Sequence, residues 1–142
     1  MSIQIVMMLP ARAASVSLAR HTLAEALRVP GVASDCIDEA QVALSEACNN
    51  ILRHGTADQS FEVLINIGRH ELTVHILETN TGIPHARQLA NWPDVDVESD
   101  GGMTLMTEFA DHASFESEGG KGSVRLKKLL RWDSEEKVSS SG

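Results

Sequence analysis

The first half of the chain carries two kinds of hydrophobic pattern, one typical of a strand and one typical of helices. The apolar run over residues 3–9 predicts a first β-strand, and Pro10 ends it because proline lacks the N–H that a ladder needs. Apolar residues then recur about every 3.6 residues over 15–28, which predicts an amphipathic helix. After the Pro30-Gly31 break, the same spacing predicts a longer helix that begins at Ser34 or Asp35 and ends before Gly55.

The second half of the chain predicts two hairpins separated by a long irregular segment. The predicted elements are strands 61–68 and 71–77, an irregular segment 78–102, a short helix 103–110, and strands 113–118 and 123–130. This order predicts an α+β domain, a two-layer sandwich with helices on one face of a mixed, mostly antiparallel sheet. We assign the domain to residues 1–132 and expect the polar tail, residues 133–142, to be disordered.

Length and charge narrow the class of protein. At 142 residues the chain suits one domain with its own core. Its formal net charge of −8 argues against a general binder of nucleic acid or of anionic membranes, because such proteins need a basic face. No segment approaches the ~20 apolar residues that span a membrane. The first apolar run could instead be the core of a secretion signal, but no Lys or Arg precedes it, so we expect a cytoplasmic protein.

The second predicted helix carries a polar stripe on an otherwise apolar pattern. Glu46, Asn50, Arg53 and His54 lie at i, i+4, i+7 and i+8, and therefore on one side of the helix. A carboxamide oxygen is a suitable Mg²⁺ ligand, since Mg²⁺ prefers oxygen and is often shared with phosphate. A carboxylate one turn away can accept a proton from an attacking hydroxyl. The alternative interpretation of this stripe is a solvated helix face.

Two glycine-rich segments are compatible with a phosphate-binding site. Gly101-Gly102 directly precedes a predicted helix, where free backbone N–H groups and the helix dipole favour phosphate. Gly119-Gly120-Lys121-Gly122-Ser123 joins the last two predicted strands, and it could also be an ordinary hairpin turn. Each segment is a weak signal when it is taken alone.

In this order, the segments resemble a known family. Glu46-Ala47-Cys48-Asn49-Asn50, followed by His54-Gly55, resembles the Asn-containing box of the GHKL ATPases, which share the Bergerat (histidine-kinase-like) fold with histidine-kinase catalytic domains, gyrase B, Hsp90 and MutL. The closing Gly-Lys-Gly-Ser segment is similar to the family's last glycine box. Pro10 and the helix around Arg20 make the chain look most like the RsbW-type anti-sigma factor serine kinases. The resemblance extends from about Leu9 to Leu130.

The resemblance implies a role for each matching residue. Glu46 would be the general base, and Asn50 would hold Mg²⁺ against the phosphates of ATP. The other nucleotide contacts would come from Asn49, His54, Gly101, Gly102, Gly122 and Ser123. Among these, the two consecutive glycines would cradle phosphate, and the serine would lie near the base or the phosphates at the floor of the pocket.

The first glycine box of this chain departs from the family pattern. The family has Asp-x-Gly-x-Gly, whose Asp accepts from the adenine amino group, whereas this chain reads Glu78-Thr79-Asn80-Thr81-Gly82. By the resemblance, Glu78, Asn80 and Gly82 would still contact the nucleotide. Losing one buried polar contact costs about 1–3 kcal/mol, so the departure also makes weakened or altered nucleotide binding an open alternative.

The resemblance implies an ATP- and Mg²⁺-dependent serine/threonine protein kinase. Its partners would be a sigma factor, sequestered through the first-helix face near Arg20, and a small STAS-type anti-sigma antagonist as phosphoacceptor. The chain could also form a homodimer. One alternative is a protein-binding regulatory module with weak or absent ATP turnover. A detached histidine-kinase catalytic domain is another, but the short chain offers no dimerisation helices.

Overall fold

The structure of the protein is a computed structural model that describes residues 2–54, 60–79, 110–118 and 121–132. The elements along the chain are β1 (Ile3–Pro10), α1 (Ala13–Arg28), α2 (Ser34–His54), β2 (Ser60–Ile67), β3 (Glu71–Thr79), β4 (His112–Glu118) and β5 (Lys121–Leu129). Most of the predicted irregular segment, the predicted helix up to residue 109 and the predicted tail lie outside the described residues. Among the described residues, no helix combines the length and apolarity that crossing a membrane requires.

The five strands form one sheet in the order β1-β2-β3-β5-β4. Every strand pair among the described residues is antiparallel, and the last hairpin is placed so that β5 lies between β3 and β4. With α1 and α2, this sheet confirms the predicted α+β architecture. In the part of the chain that the structure describes, the mostly antiparallel sheet is antiparallel throughout.

The two helices cover one face of the sheet, and strand alternation decides which residues face them. On β2 the odd-numbered residues are almost completely buried: Phe61, Val63, Ile65 and Ile67. They pack with buried helix residues that include Ala19, Leu23, Leu27, Leu44, Ala47 and Cys48. Burying each large apolar side chain contributes roughly 1.5–3 kcal/mol, so this face is the main source of stability.

A cluster of charges fixes the beginning of α2 against the end of β5. Lys128 Nζ lies 2.8 Å from Glu39 Oε1, and its side chain is only 8% exposed. Arg131 Nη2 lies 3.0 Å from the same Glu39 oxygen and 3.4 Å from Asp35 Oδ2. The hydrogen bond from Lys128 is the largest cause that lowers the pKa of Glu39, and the hydrogen bond from Arg131 is the next largest. The cluster thereby sets how α2 lies along the sheet.

The third strand is longer than the sequence pattern predicts. The prediction ended this strand at residue 77, whereas β3 continues through Glu78 and Thr79. The polar pair interrupts the apolar alternation, but Glu78 still pairs with Phe61, and Thr79 pairs with Ser60 on β2. Ala110, the last residue of the predicted short helix 103–110, is described and lies outside any helix, which corrects the predicted helix end.

Candidate functional site

Asn50 is a buried polar residue on α2. It is 2% exposed and lies on the face of the helix that packs into the core, beside Ala47 and Ile51. Its side-chain oxygen Oδ1 is buried and has no hydrogen-bond partner among the described residues. Leaving such an acceptor unsatisfied costs about 1–3 kcal/mol, and orphaned polar atoms of this kind call for an explanation such as an ion or ligand.

Glu46 lies one helical turn before Asn50 and is partly exposed. It lines a surface hollow of about 420 Å³ together with Arg20, Asp38, Gln41, Val42 and Ser45. The hollow spans the boundary between the two helices, where Gln41 Nε2 donates to the backbone oxygen of Arg20 at 3.4 Å. The carboxylate is therefore reachable from the surface, while the neighbouring carboxamide is buried.

Cys48 separates the two site residues along the helix. It is completely buried, and burial raises the pKa of its thiol to about 12. A thiol with such a pKa stays protonated at neutral pH, and the nucleophilic form of cysteine is the thiolate. The residue therefore serves packing, as a small apolar side chain.

Glu78 and Gly122 meet on the helix-facing side of the sheet. Glu78 is 4% exposed, and its Oε1 accepts a 2.8 Å hydrogen bond from the backbone N–H of Gly122. Glu78 follows Leu77 on β3, and Gly122 precedes Ser123 on β5. Because Leu77 pairs with Ser123 in this antiparallel ladder, Glu78 and Gly122 are neighbours across the two strands. The carboxylate is thus tied to the adjacent strand by a backbone donor.

Asn50 and the Glu78–Gly122 contact each lie well away from the Glu39–Lys128 ion pair along their own elements. The Glu39–Lys128 ion pair joins α2 to β5. From Glu39 to Asn50 the helix advances about 16 Å at 1.5 Å per residue. From Lys128 back to Gly122 the strand covers about 20 Å at 3.3 Å per residue. Asn50 and Gly122 are therefore each separated from the ion pair by more than half of the length of the element that carries them.

Comparison with known proteins agrees with this fold. The family profile described as the histidine kinase-like ATPase domain matches residues 9–128, which include Glu46, Asn50, Glu78 and Gly122. The chain belongs to this family. The resemblance to GHKL ATPases is therefore confirmed at the level of the family.

Similar individual proteins carry the name serine-protein kinase RsbW. Those of Bacillus thuringiensis (strain Al Hakam) and Bacillus cereus (strain B4264) are each 34% identical over 80 residues, which is 56% of this chain and 50% of the relative. The chain thus spans about half the length of these curated relatives in the matched region. A crystal structure of the RsbU and RsbW domains of Rv1364c from Mycobacterium tuberculosis shares the fold, with a TM-score of 0.64 at 16% identity. The matched region covers 91% of this chain and 33% of the chain in that crystal structure.

The structure describes the side chains or backbone of four of the residues that the family resemblance selects. Glu46 and Asn50 lie one turn apart on α2, Glu78 and Gly122 are in contact on the sheet, and the roles of all four are still predictions. Asn49 is exposed on the helix between the two α2 residues. Outside the described residues lie Asn80, Gly82, Gly101, Gly102 and the side chain of His54.

Ser123 is placed differently from the other candidates. Its partner on β3 is Leu77, so alternation directs its side chain to the sheet face opposite the helices. There its Oγ donates to the backbone oxygen of Glu116 at 3.3 Å. The predicted contact between the Ser123 side chain and a nucleotide remains untested. Of the two neighbouring residues, Gly122 lies on the sheet face that the helices cover, whereas Ser123 points to the opposite face.

Sequence reasoning missed two features of the site. The first is the hollow beside Glu46, although Asp38, Gln41 and Ser45 recur at i, i+3 and i+7 and could have indicated a polar face. The second is the backbone donor of Gly122, because its partner Glu78 is 44 residues away along the chain. Only strand pairing reveals that contact.

Proposed function

We propose that this protein is a cytoplasmic, ATP-dependent serine/threonine protein kinase that sequesters a sigma factor and phosphorylates a small STAS-type antagonist. The observation that carries the nucleotide part is Asn50: a buried side-chain oxygen with no described partner, in a chain of the histidine kinase-like ATPase family. The RsbW name of the similar bacterial proteins supports the kinase part. ATP would lie between α2 and the sheet.

Asn50 suits Mg²⁺ because its unsatisfied atom is an oxygen, the ligand type that Mg²⁺ requires. When bound beside the phosphates, Mg²⁺ supplies charge neutralisation during phosphoryl transfer. Asn50 contributes a fixed oxygen, held in place by the packed helix around it. Asn49 and His54 would support the phosphate side from the same helix, and the glycines at 82, 101 and 102 would contribute backbone donors.

Glu46 suits the role of general base because it is partly exposed and reachable from the hollow between the helices. A serine or threonine hydroxyl that enters from this side would give its proton to the Glu46 carboxylate as its oxygen bonds to the γ-phosphorus of ATP. The bond from that phosphorus to the β–γ bridging oxygen would break, and ADP would leave with the bonding electrons. The residue acts by position: it removes the proton at the place where the acceptor arrives.

The same hollow connects the base to the surface that we assign to protein partners. Arg20 lies at its α1 side, and Asp38 and Gln41 lie at its α2 side. A partner bound at Arg20 would therefore hold an acceptor hydroxyl close to Glu46. This arrangement links sequestration and phosphorylation to one face of the molecule, which could also belong to a homodimer.

A second candidate function is a partner-binding module with weak ATP turnover. The observation in its favour is that Glu78, which replaces the family's Asp, already accepts a hydrogen bond from Gly122. A nucleotide base would meet a carboxylate whose Oε1 already accepts a hydrogen bond. The fold and the hollow near Arg20 would still support capture of a protein.

Calorimetric titration with Mg-ATP separates the two functions. Wild type should bind, Asn50→Ala should lose Mg²⁺-dependent binding, and Glu46→Gln should bind ATP normally. The matched control is Asn66→Ala, which removes an exposed asparagine from the outer face of β2. No binding by wild type at millimolar nucleotide would overturn the kinase function and leave the binding module.

Phosphoryl transfer and partner capture need a separate experiment. Purified STAS-type and sigma proteins from the same genome are mixed with the protein and radiolabelled ATP. Wild type should label a STAS-type protein and retain a sigma factor, Glu46→Gln should retain without labelling, and Arg20→Ala should lose retention. Arg28→Ala is the control, since its side chain is 60% exposed at the far end of the same helix. Equal retention by the Arg20→Ala variant would rule out the proposed face.

A further inference from the structure

The hollow beside Glu46 is lined along α2 by side chains that recur about once per turn. Asp38, Val42 and Glu46 lie at i, i+4 and i+8, so they form one stripe on the surface of the helix. Asp38 is exposed, and Val42 is 36% exposed. The stripe therefore has a carboxylate at each end and an apolar side chain between them, and its ends are about 12 Å apart at 1.5 Å per residue.

The cation that lines the hollow, Arg20, lies nearer to one end of this stripe. Its backbone oxygen accepts from Gln41 on α2, and its Nη2 donates to Ser17 Oγ, which is 3.5 Å away and one turn back along α1. Because the connection between the two helices is short, they run antiparallel, so a step back along α1 is a step forward along α2. The guanidinium therefore extends towards the Glu46 end, away from Asp38.

The hollow also offers acceptors that no described group satisfies. None of the ion pairs among the described residues includes Asp38. Ser45 Oγ is buried and has no hydrogen-bond partner in the part of the chain that the structure describes. An ionised carboxylate only accepts hydrogen bonds, and a hydroxyl oxygen can accept them as well. Both groups therefore suit a donor that comes from another molecule.

We propose that the Asp38 end of this hollow binds a lysine or arginine side chain of the phosphoacceptor protein, which makes Asp38 a specificity-determining residue. This interaction rests on the proposed function, because it requires an acceptor hydroxyl at Glu46. A basic side chain brings charged donors to the carboxylate, and its aliphatic stem covers Val42. The formal net charge of −8 favours a partner with a basic surface.

The length of the stripe states where the basic residue lies on the acceptor. A lysine or arginine side chain reaches about 6 Å from its Cα, which is half of the roughly 12 Å between Asp38 and Glu46. The Cα atoms of the basic residue and of the acceptor serine or threonine are therefore roughly 6–10 Å apart in the folded acceptor. Binding at Asp38 thereby places the hydroxyl beside the Glu46 carboxylate.

The kinetics of transfer to the STAS-type protein that wild type labels give the first test. Asp38→Asn keeps the shape of the side chain and removes its charge, so KM for the acceptor should rise about tenfold. The kcat and the affinity for Mg-ATP should stay within about twofold of wild type, because the lost contact is equally present before and during transfer. Asp35→Asn is the control, the same change about one turn earlier on α2 at a residue that is 73% exposed. Equal KM values for wild type and Asp38→Asn would overturn the proposed recognition and leave the proposed function intact.

Charge reversal identifies the basic residue on the acceptor. Each Lys or Arg within about 10 Å of the acceptor residue is changed to Glu and assayed with wild type and with Asp38→Lys. One acceptor variant should have a raised KM with wild type and a KM about tenfold lower with Asp38→Lys. If no acceptor variant is restored in this way, or if Asp38→Asn weakens only the retention of the sigma factor, the hollow does not select the acceptor by its basic side chain.

A titration without nucleotide separates this recognition from the proposed function. Nα-acetyl-arginine amide at millimolar concentration should shift the backbone amide resonances of Asp38, Val42 and Ser45 in wild type but not in Asp38→Asn. Nα-acetyl-citrulline amide is the matched control, since it has nearly the same shape and no charge. Equal shifts with both compounds would overturn the preference for a basic group. If wild type labels no STAS-type protein, the proposed function fails, whereas this titration still decides whether the hollow takes a basic side chain.

Discussion

The two ends of α2 carry polar side chains in opposite circumstances. Near its beginning, Glu39 is paired with Lys128 and Arg131, so the charges satisfy one another. Near its end, the buried Oδ1 of Asn50 has no described partner and Glu46 opens to a hollow. Paired charges hold the helix on the sheet, whereas a polar atom left unsatisfied costs stability and is available to a ligand. The helix is thus anchored near its beginning and carries an unsatisfied buried oxygen near its end.

The largest expected effect on stability comes from breaking the anchored end. Lys128→Ala removes a side chain that is 8% exposed and leaves Glu39 with Arg131 alone. We expect the free energy of unfolding to fall by about 2 kcal/mol, as for the loss of one partner of a largely buried pair. Urea denaturation measures it. Lys127→Ala, on the opposite sheet face, is the control, and an equal loss in both variants would contradict a specific anchor.

Asn50 should show the reverse behaviour. Asn50→Leu replaces the carboxamide, whose Oδ1 is unsatisfied, with an apolar side chain of similar volume, so the free energy of unfolding should rise by about 1 kcal/mol. Nucleotide binding should be lost at the same time. Urea denaturation and calorimetry on the same samples measure both quantities. A clear loss of stability would mean that the carboxamide supports the fold rather than a ligand.

The anchored end should also show a pH dependence of known sign. Because its hydrogen bonds lower the pKa of Glu39 from the ordinary 4.5, its contribution is present above pH 4.5. That contribution is lost as the pH falls from 4.5 through the lower, folded pKa. We expect this contribution to the free energy of unfolding to be about 1 kcal/mol or less, because the Glu39 side chain is 33% exposed. Measuring the free energy of unfolding against pH in wild type and in Glu39→Gln tests this. The variant should lose the part of the decrease below pH 4.5 that Glu39 contributes in wild type.

The smallest effect is expected at the rim of the same cluster. Arg131 is 49% exposed and its partner Asp35 is 73% exposed, so water and salt screen their attraction. Arg131→Ala should lower the free energy of unfolding by about 0.5 kcal/mol, and less in high salt. Thermal unfolding at two salt concentrations measures it. A loss as large as that of Lys128→Ala would show that the rim, not the buried lysine, anchors the helix.

Much of the fold could be predicted from hydrophobic periodicity because local sequence determines it. The two helices and the five strands follow from apolar spacings of about 3.6 and 2 residues. The end of β3 could not be predicted, because Glu78 interrupts the apolar alternation and its pairing with Phe61 is a long-range property. The polar stripe from Glu46 to Asn50 was visible in the sequence, and so was its likeness to the family.

The sequence by itself determined which side chains could do chemistry, since the spacing of Glu46 and Asn50 on one helix needs no other part of the chain. The tertiary structure decided which of them are buried, what they meet and which face they use. Ser123 faces away from the helices because of strand register, and Glu78 finds Gly122 only because β5 lies beside β3. Local spacing cannot encode contacts between residues so far apart in the chain. For the same reason the Glu39–Lys128 anchor, which spans 89 positions, is a property of the folded molecule.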